Sequence, residues 1–119
     1  MSARNSEYKR KDVRRDIVLE ARVFFDGNGV LSRTNNLSLG GACVTLPFPC
    51  AHYRPMTVSA VEIENIGHFS VTRRWSADFK VGLQFNNYAT TAREIESFFT
   101  KLDSGEITLK KRPKYAFLL

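Results

Sequence analysis

The stretch Phe79-Lys80-Val81-Gly82-Leu83-Gln84-Phe85 alternates large or branched apolar side chains with polar or small ones through all seven positions. Successive side chains of a β-strand point to opposite faces, so this pattern writes a strand with one face in a core. The same period runs outward through most of the chain. Phe69, Val71, Arg73 and Trp75 alternate with Ser70, Thr72 and Arg74, and Ser76-Ala77-Asp78 is the expected turn between these two strands. Val58 and Ala60 alternate with Ser59 and Val61, followed by a turn at Asn65-Ile66-Gly67-His68. Ala42, Val44 and Leu46 alternate with Cys43 and Thr45 until Pro47-Phe48-Pro49, where the prolines lack a ladder donor and stop the strand. From there through Pro55 the chain reads as loop.

Near the start, Leu19, Ala21, Val23 and Phe25 share one face, with Glu20, Arg22 and Phe24 on the other. Asp26-Gly27-Asn28-Gly29 favours the positive φ of a hairpin turn, and Val30 to Asn35 is the return strand. After Tyr88 the period becomes helical. Thr91-Ala92-Arg93-Glu94 has the spacing of a capping box. Ile95, Phe98, Phe99 and Leu102 then follow at i, i+3, i+4 and i+7, and Gly105 is a stop. Six short strands at regular spacing and one amphipathic helix predict an all-β fold with a C-terminal helix, a small antiparallel barrel or sandwich.

Composition limits what such a domain does. The 119 residues are 43% apolar and 25% charged, an ordinary globular balance. No apolar stretch reaches the ~20 residues of a membrane-spanning helix, and Met1 to Arg15 has no apolar h-region of a signal peptide. The expected location is the cytoplasm. The net charge of +6 sits at the two ends. Residues 1–15 form a flexible basic leader with a net charge of +4, and 105–119 a basic and apolar tail with +3. Residues 16–104, the barrel and helix, carry −1. A nucleic-acid-binding fold usually lines its folded face with Lys and Arg, so this distribution argues against one. The tail runs Lys110-Lys111-Arg112-Pro113-Lys114 and ends Tyr115-Ala116-Phe117-Leu118-Leu119, a segment suited to docking on the barrel, an anionic membrane surface or a protein.

Catalytic and metal signatures are missing from the sequence. Cys43, Cys50 and His52 do not have the paired spacing of zinc ligands. Cys43 falls within a strand pattern as a small packed side chain, and two cysteines do not make a disulfide scaffold. No phosphate loop, dinucleotide fingerprint or acid/base carboxylate pair is present. No enzyme activity, metal or cofactor is expected.

Two segments exceed what strand patterning explains. Arg10-Lys11-Asp12-Val13-Arg14-Arg15 precedes the first strand, and Asn35-Asn36-Leu37-Ser38-Leu39-Gly40-Gly41 joins the second to the third. Each alone reads blandly, as a solvated basic run and a polar turn. Together, Arg10-x-x-x-Arg14 and Asn36-x-Ser38-x-x-Gly41 resemble the RxxxR and [D/N]xSxxG signatures of the PilZ domain family. The seven-residue step from Arg14 to Ala21-Arg22-Val23 and the run Gly40-Gly41-Ala42-Cys43-Val44 are similar to the family pattern. So is Phe79 to Phe85, and the likeness covers about residues 9–100. Arg15 stands where the family often has an apolar residue.

The resemblance implies a six-stranded antiparallel β-barrel with a C-terminal helix, and binding of cyclic di-GMP. The residue types suit that ligand. Arginine forks fit phosphate oxygens or the guanine O6/N7 edge bidentately and stack on purines, which Lys cannot match. Asn36 and Ser38 offer neutral donors and acceptors, and Gly41 permits close backbone approach. The expected ligand-binding set is therefore Arg10, Arg14, Asn36, Ser38 and Gly41, with Lys9, Arg15 and Gly40 as additional candidates. The expected function is a bacterial receptor whose leader folds over the nucleotide and changes the surface shown to a downstream protein partner. Two other readings stay open, an adaptor that no longer binds nucleotide and a small-barrel RNA- or DNA-binding protein.

Overall fold

The computed structural model describes residues 13–109. Lys9, Arg10 and the tail beyond Leu109 lie outside the described residues. The elements are β1 (Glu20–Phe25), β2 (Asn28–Leu37), β3 (Gly41–Thr45), α1 (Cys50–Tyr53), β4 (Val58–Ile63), β5 (Gly67–Ala77), β6 (Lys80–Phe85) and α2 (Tyr88–Asp103). The six strands close into a barrel in the order β1-β2-β3-β6-β5-β4, and every neighbouring pair is antiparallel. The expected six-stranded antiparallel barrel with a C-terminal helix is what forms.

Alternation fills the interior. Ala21, Val23 and Phe25 of β1, Val61 and Ile63 of β4, Phe69 and Val71 of β5, and Val81, Leu83 and Phe85 of β6 are all buried in one cluster. Two buried polar side chains of β2 join them at little cost because both are hydrogen-bonded. The Thr34 hydroxyl donates to the Ile17 carbonyl at 2.6 Å and accepts the Leu19 N–H at 2.8 Å. The Ser32 hydroxyl donates to the Val30 carbonyl. The β1–β2 hairpin turns on two residues, Asp26 at φ 50° and Gly27 at φ 84°, the pair of positive values that matches strand twist.

Helix α2 buries Thr91, Ile95, Phe98 and Phe99, and crosses the barrel end where β2 finishes and the β4–β5 turn lies. It begins a turn before the expected capping box. Thr91 is 3% exposed and lies one turn before Ile95 on the buried stripe, so it is a packing residue inside the helix rather than a cap. Asn87 occupies the N-cap position without a side-chain hydrogen bond. Gly105, at φ 81°, follows the helix end as expected.

Three other expectations change. The segment read as loop contains the single-turn α1, whose Tyr53 stacks on Phe25 with ring centroids 4.5 Å apart. In β4 the buried residues are Val61 and Ile63, whereas Val58 and Ala60 are half-buried. A register shift against β1 between Phe24 and Phe25 reverses the phase there. Strand β5 runs on to Ala77, so the turn falls at Asp78 and Phe79, and Phe79 is 45% exposed at its tip.

Candidate functional site

Two bulges shape the outer face of the barrel on β2, β3, β6 and β5. In β2, Thr34 pairs with Val44 and Asn36 with Cys43, leaving Asn35 as the extra residue. Without that insertion Asn36 would follow Ser32 and Thr34 inward. With it, Leu37 takes the inward position and Asn36 faces out. In β5, Arg73 pairs with Leu83 and Trp75 with Gly82, leaving Arg74 as the extra residue. Directly paired residues share a face, so Asn36, Cys43, Gly82 and Trp75 form one row across four strands. Gly82 makes the row possible. A Cβ there would collide with the Trp75 indole, which lies against the glycine backbone.

The β2–β3 connection supplies the next part. The Ser38 N–H donates to the Gly41 carbonyl at 2.9 Å, and the Ser38 hydroxyl lies 3.2 Å from both the carbonyl and the N–H of Gly41. The hydroxyl therefore closes the turn on itself. A side chain at Gly41 would strike the Leu83 carbonyl of β6, so glycine is required there by strand approach. The Gly40 carbonyl accepts the Phe85 N–H, tying the same turn to β6.

The segment before β1 docks beside this turn. Arg15 and Leu37 exchange two backbone hydrogen bonds of 2.9 Å, an isolated antiparallel bridge. Side chains alternate through it, with Arg15, Ile17 and Leu19 turned in and Arg14, Asp16 and Val18 exposed. Arg14 Nη1 reaches Asn36 Oδ1 at 3.4 Å. Arg15 points the other way, toward α2. Its guanidinium pairs with Asp103 through both nitrogens, at 2.8 and 3.0 Å, and lies 4.3 Å from the Phe99 ring centroid. The pair holds the Asp103 carboxyl below its ordinary range and raises the Arg15 guanidinium.

Between these parts lies a cleft of about 340 Å³, lined among others by Arg14, Ser38, Gly41, Arg74, Trp75 and Gly82. Its charged lining, among the described residues, is Arg14 on the β2 side and Arg74 on the β5 side. Two cations, an indole that is 41% exposed and a turn with close backbone fit a flat anionic ligand. Cys43, between Asn36 and Gly82 in the row beside the cleft, is 4% exposed, and burial pushes its thiol up despite Lys80 and Arg14, so it stays protonated at neutral pH. Among the described residues no group of His, Cys, Asp and Glu could hold a metal ion.

Of the sequence-derived set, Arg14, Ser38, Gly40 and Gly41 line the cleft, and Asn36 stands behind Arg14. Arg15 is turned away from it. Trp75 and Arg74 were not expected, because simple alternation puts Arg73 and Trp75 on one face. The signal for them was the single tryptophan on a strand, directly after an Arg-Arg step, with a glycine in the next strand.

A family model described as PilZ domain matches residues 8–101. The chain belongs to the PilZ domain family. No curated protein and no solved structure matches it. The matched span of this PilZ domain takes in both motif segments and most of α2, and it ends two residues before Asp103. Among the described residues no helix is long and apolar enough to cross a membrane.

Proposed function

We propose that this PilZ domain is a cyclic di-GMP receptor, with the nucleotide lying on the outer face of β3 and β6 between Arg14 and Trp75. The observation that carries the reading is that Arg14 of one motif and Ser38 and Gly41 of the other, more than 20 residues on, line one cleft together with Arg74 and Trp75. Arginines on opposite sides suit a ligand with two phosphodiester charges, and each fork also fits a guanine O6/N7 edge. The exposed side of the Trp75 indole offers a stacking platform, worth roughly 1–3 kcal/mol per base. In this role Ser38 shapes the turn and Asn36 aims Arg14, while Gly41 lets the backbone come close.

The cleft, at about 340 Å³, is at the small end of the roughly 300–1,000 Å³ of small-molecule sites. A cyclic dinucleotide would therefore keep one side outside it. In this reading Arg10, four residues before Arg14, and Lys9 are the residues that would cover that side. Nucleotide held against the leader would change the surface beside the turn and so the surface shown to a protein partner. The single tryptophan makes the test direct. Cyclic di-GMP should quench Trp75 fluorescence saturably in the wild-type chain, and the response should move to at least tenfold higher ligand in Arg14→Ala. No quenching in the wild type, with a protein partner captured regardless of nucleotide, would mean a nucleotide-independent adaptor. Displacement by single-stranded oligonucleotide with a steep salt dependence would mean a nucleic-acid-binding barrel.

A further inference from the structure

Among the described residues of the leader segment Arg15 is held the most firmly, yet none of its contacts is to the cleft. Two backbone hydrogen bonds tie it to Leu37, two side-chain bonds tie it to Asp103, and its plane rests on Phe99. The backbone bridge is an isolated rung at the margin of the sheet, and such ends open locally at small cost. Beyond Ile17 and Leu19, which are buried, the contacts to α2 brace it. Because neighbouring side chains in an extended segment point to opposite sides, anchoring Arg15 inward turns Arg14 outward over Asn36. Asp103 is the last residue of α2, where a negative charge faces the carbonyl end of the helix and is locally unfavourable. Its place is explained by Arg15 and not by the helix.

We propose that Asp103 is a positioning residue for the nucleotide site, acting through Arg15 to fix the leader so that Arg14 faces the cleft. The inference rests on the receptor reading above. It also ties the end of α2 to ligand binding, so that whatever displaces that end weakens binding, and bound nucleotide strengthens its docking in return.

The test is Asp103→Asn in the full chain, with cyclic di-GMP affinity by calorimetry and amide hydrogen exchange on the ligand-free protein. The sign of the effect separates the explanations. Removing a negative charge makes the protein more positive and relieves the helix end, so field and helix effects both predict unchanged or tighter binding of a dianion. Positioning predicts binding weaker by about three- to fivefold, the scale of a well-formed surface pair. It also predicts faster exchange of the Arg15 and Leu37 amides, and recovery of both in Asp103→Glu, which keeps the carboxylate. Wild-type or tighter affinity in Asp103→Asn overturns the proposal, as does unchanged exchange at the two amides. If the wild-type chain itself binds no cyclic di-GMP, the receptor reading fails and this role goes with it. Loss of amide protection in the variant would then show only that the leader is latched.

Discussion

At the scale of single residues, the site depends on which atoms are already committed. The Arg14 side chain is exposed and has one long contact to Asn36, so it can turn to a ligand without dismantling the fold. A hydrogen bond to a charged group contributes about 1.5–3 kcal/mol net. Arg14→Ala should therefore weaken cyclic di-GMP binding by roughly 10- to 150-fold with an unchanged melting temperature. Arg14→Lys should be nearly as harmful, since charge without the planar fork does not reproduce bidentate contact. Ser38 behaves differently, because its hydroxyl is spent on Gly41. Ser38→Ala should lower stability by about 1 kcal/mol, and any loss of affinity should track that loss in a paired denaturation and binding experiment. Arg14, Ser38 and Gly41, which line the cleft, stood out in the sequence because a spaced signature names them directly. Trp75 and Arg74 did not, because one extra residue in β5 decides where they point, and a bulge leaves no mark on the alternation.

At the scale of elements, the six strands and α2 were readable, whereas their edges and the single-turn α1 were not. Period two located all six strands. The phase reversal in β4 escaped it because that reversal is made by pairing with β1, not by the β4 sequence. The helix stripe was read correctly from Ile95 onward, but Thr91 looked like a cap until its burial showed it to be part of the same stripe. Phe98 is 3% exposed in that stripe, so Phe98→Ala should cost about 3–5 kcal/mol by chemical denaturation. The latch between α2 and the leader sets a pH dependence. Asp103 has a folded pKa below its unfolded value, so its stabilising effect is complete above the ordinary carboxylate range and is lost as pH falls through the lowered value. Arg15 stays charged throughout. Exchange at the Arg15 and Leu37 amides, corrected for intrinsic rate, should be flat from about pH 8 to 5 and rise only in stronger acid.

At the scale of the whole molecule, a closed antiparallel barrel offers no free edge, so recognition must use its outer face and the segments laid across it. Residues 1–15 carry +4 and residues 16–104 carry −1. Among the described residues, positive charge reaches the cleft through Arg14 of the leader and Arg74 of β5. This arrangement suits a small dianion better than an extended polyanion, which would need a charged track along the barrel. The two phosphodiesters and two guanines of cyclic di-GMP would engage Arg14, Arg74 and Trp75, and the guanine edges separate it from an adenine analogue with the same phosphates. Calorimetry of the wild-type chain with cyclic di-GMP, cyclic di-AMP and GTP tests this most directly. The account predicts saturable binding of cyclic di-GMP, with both other nucleotides at least tenfold weaker. Equal binding of cyclic di-AMP, or no heat with cyclic di-GMP at all, would contradict it.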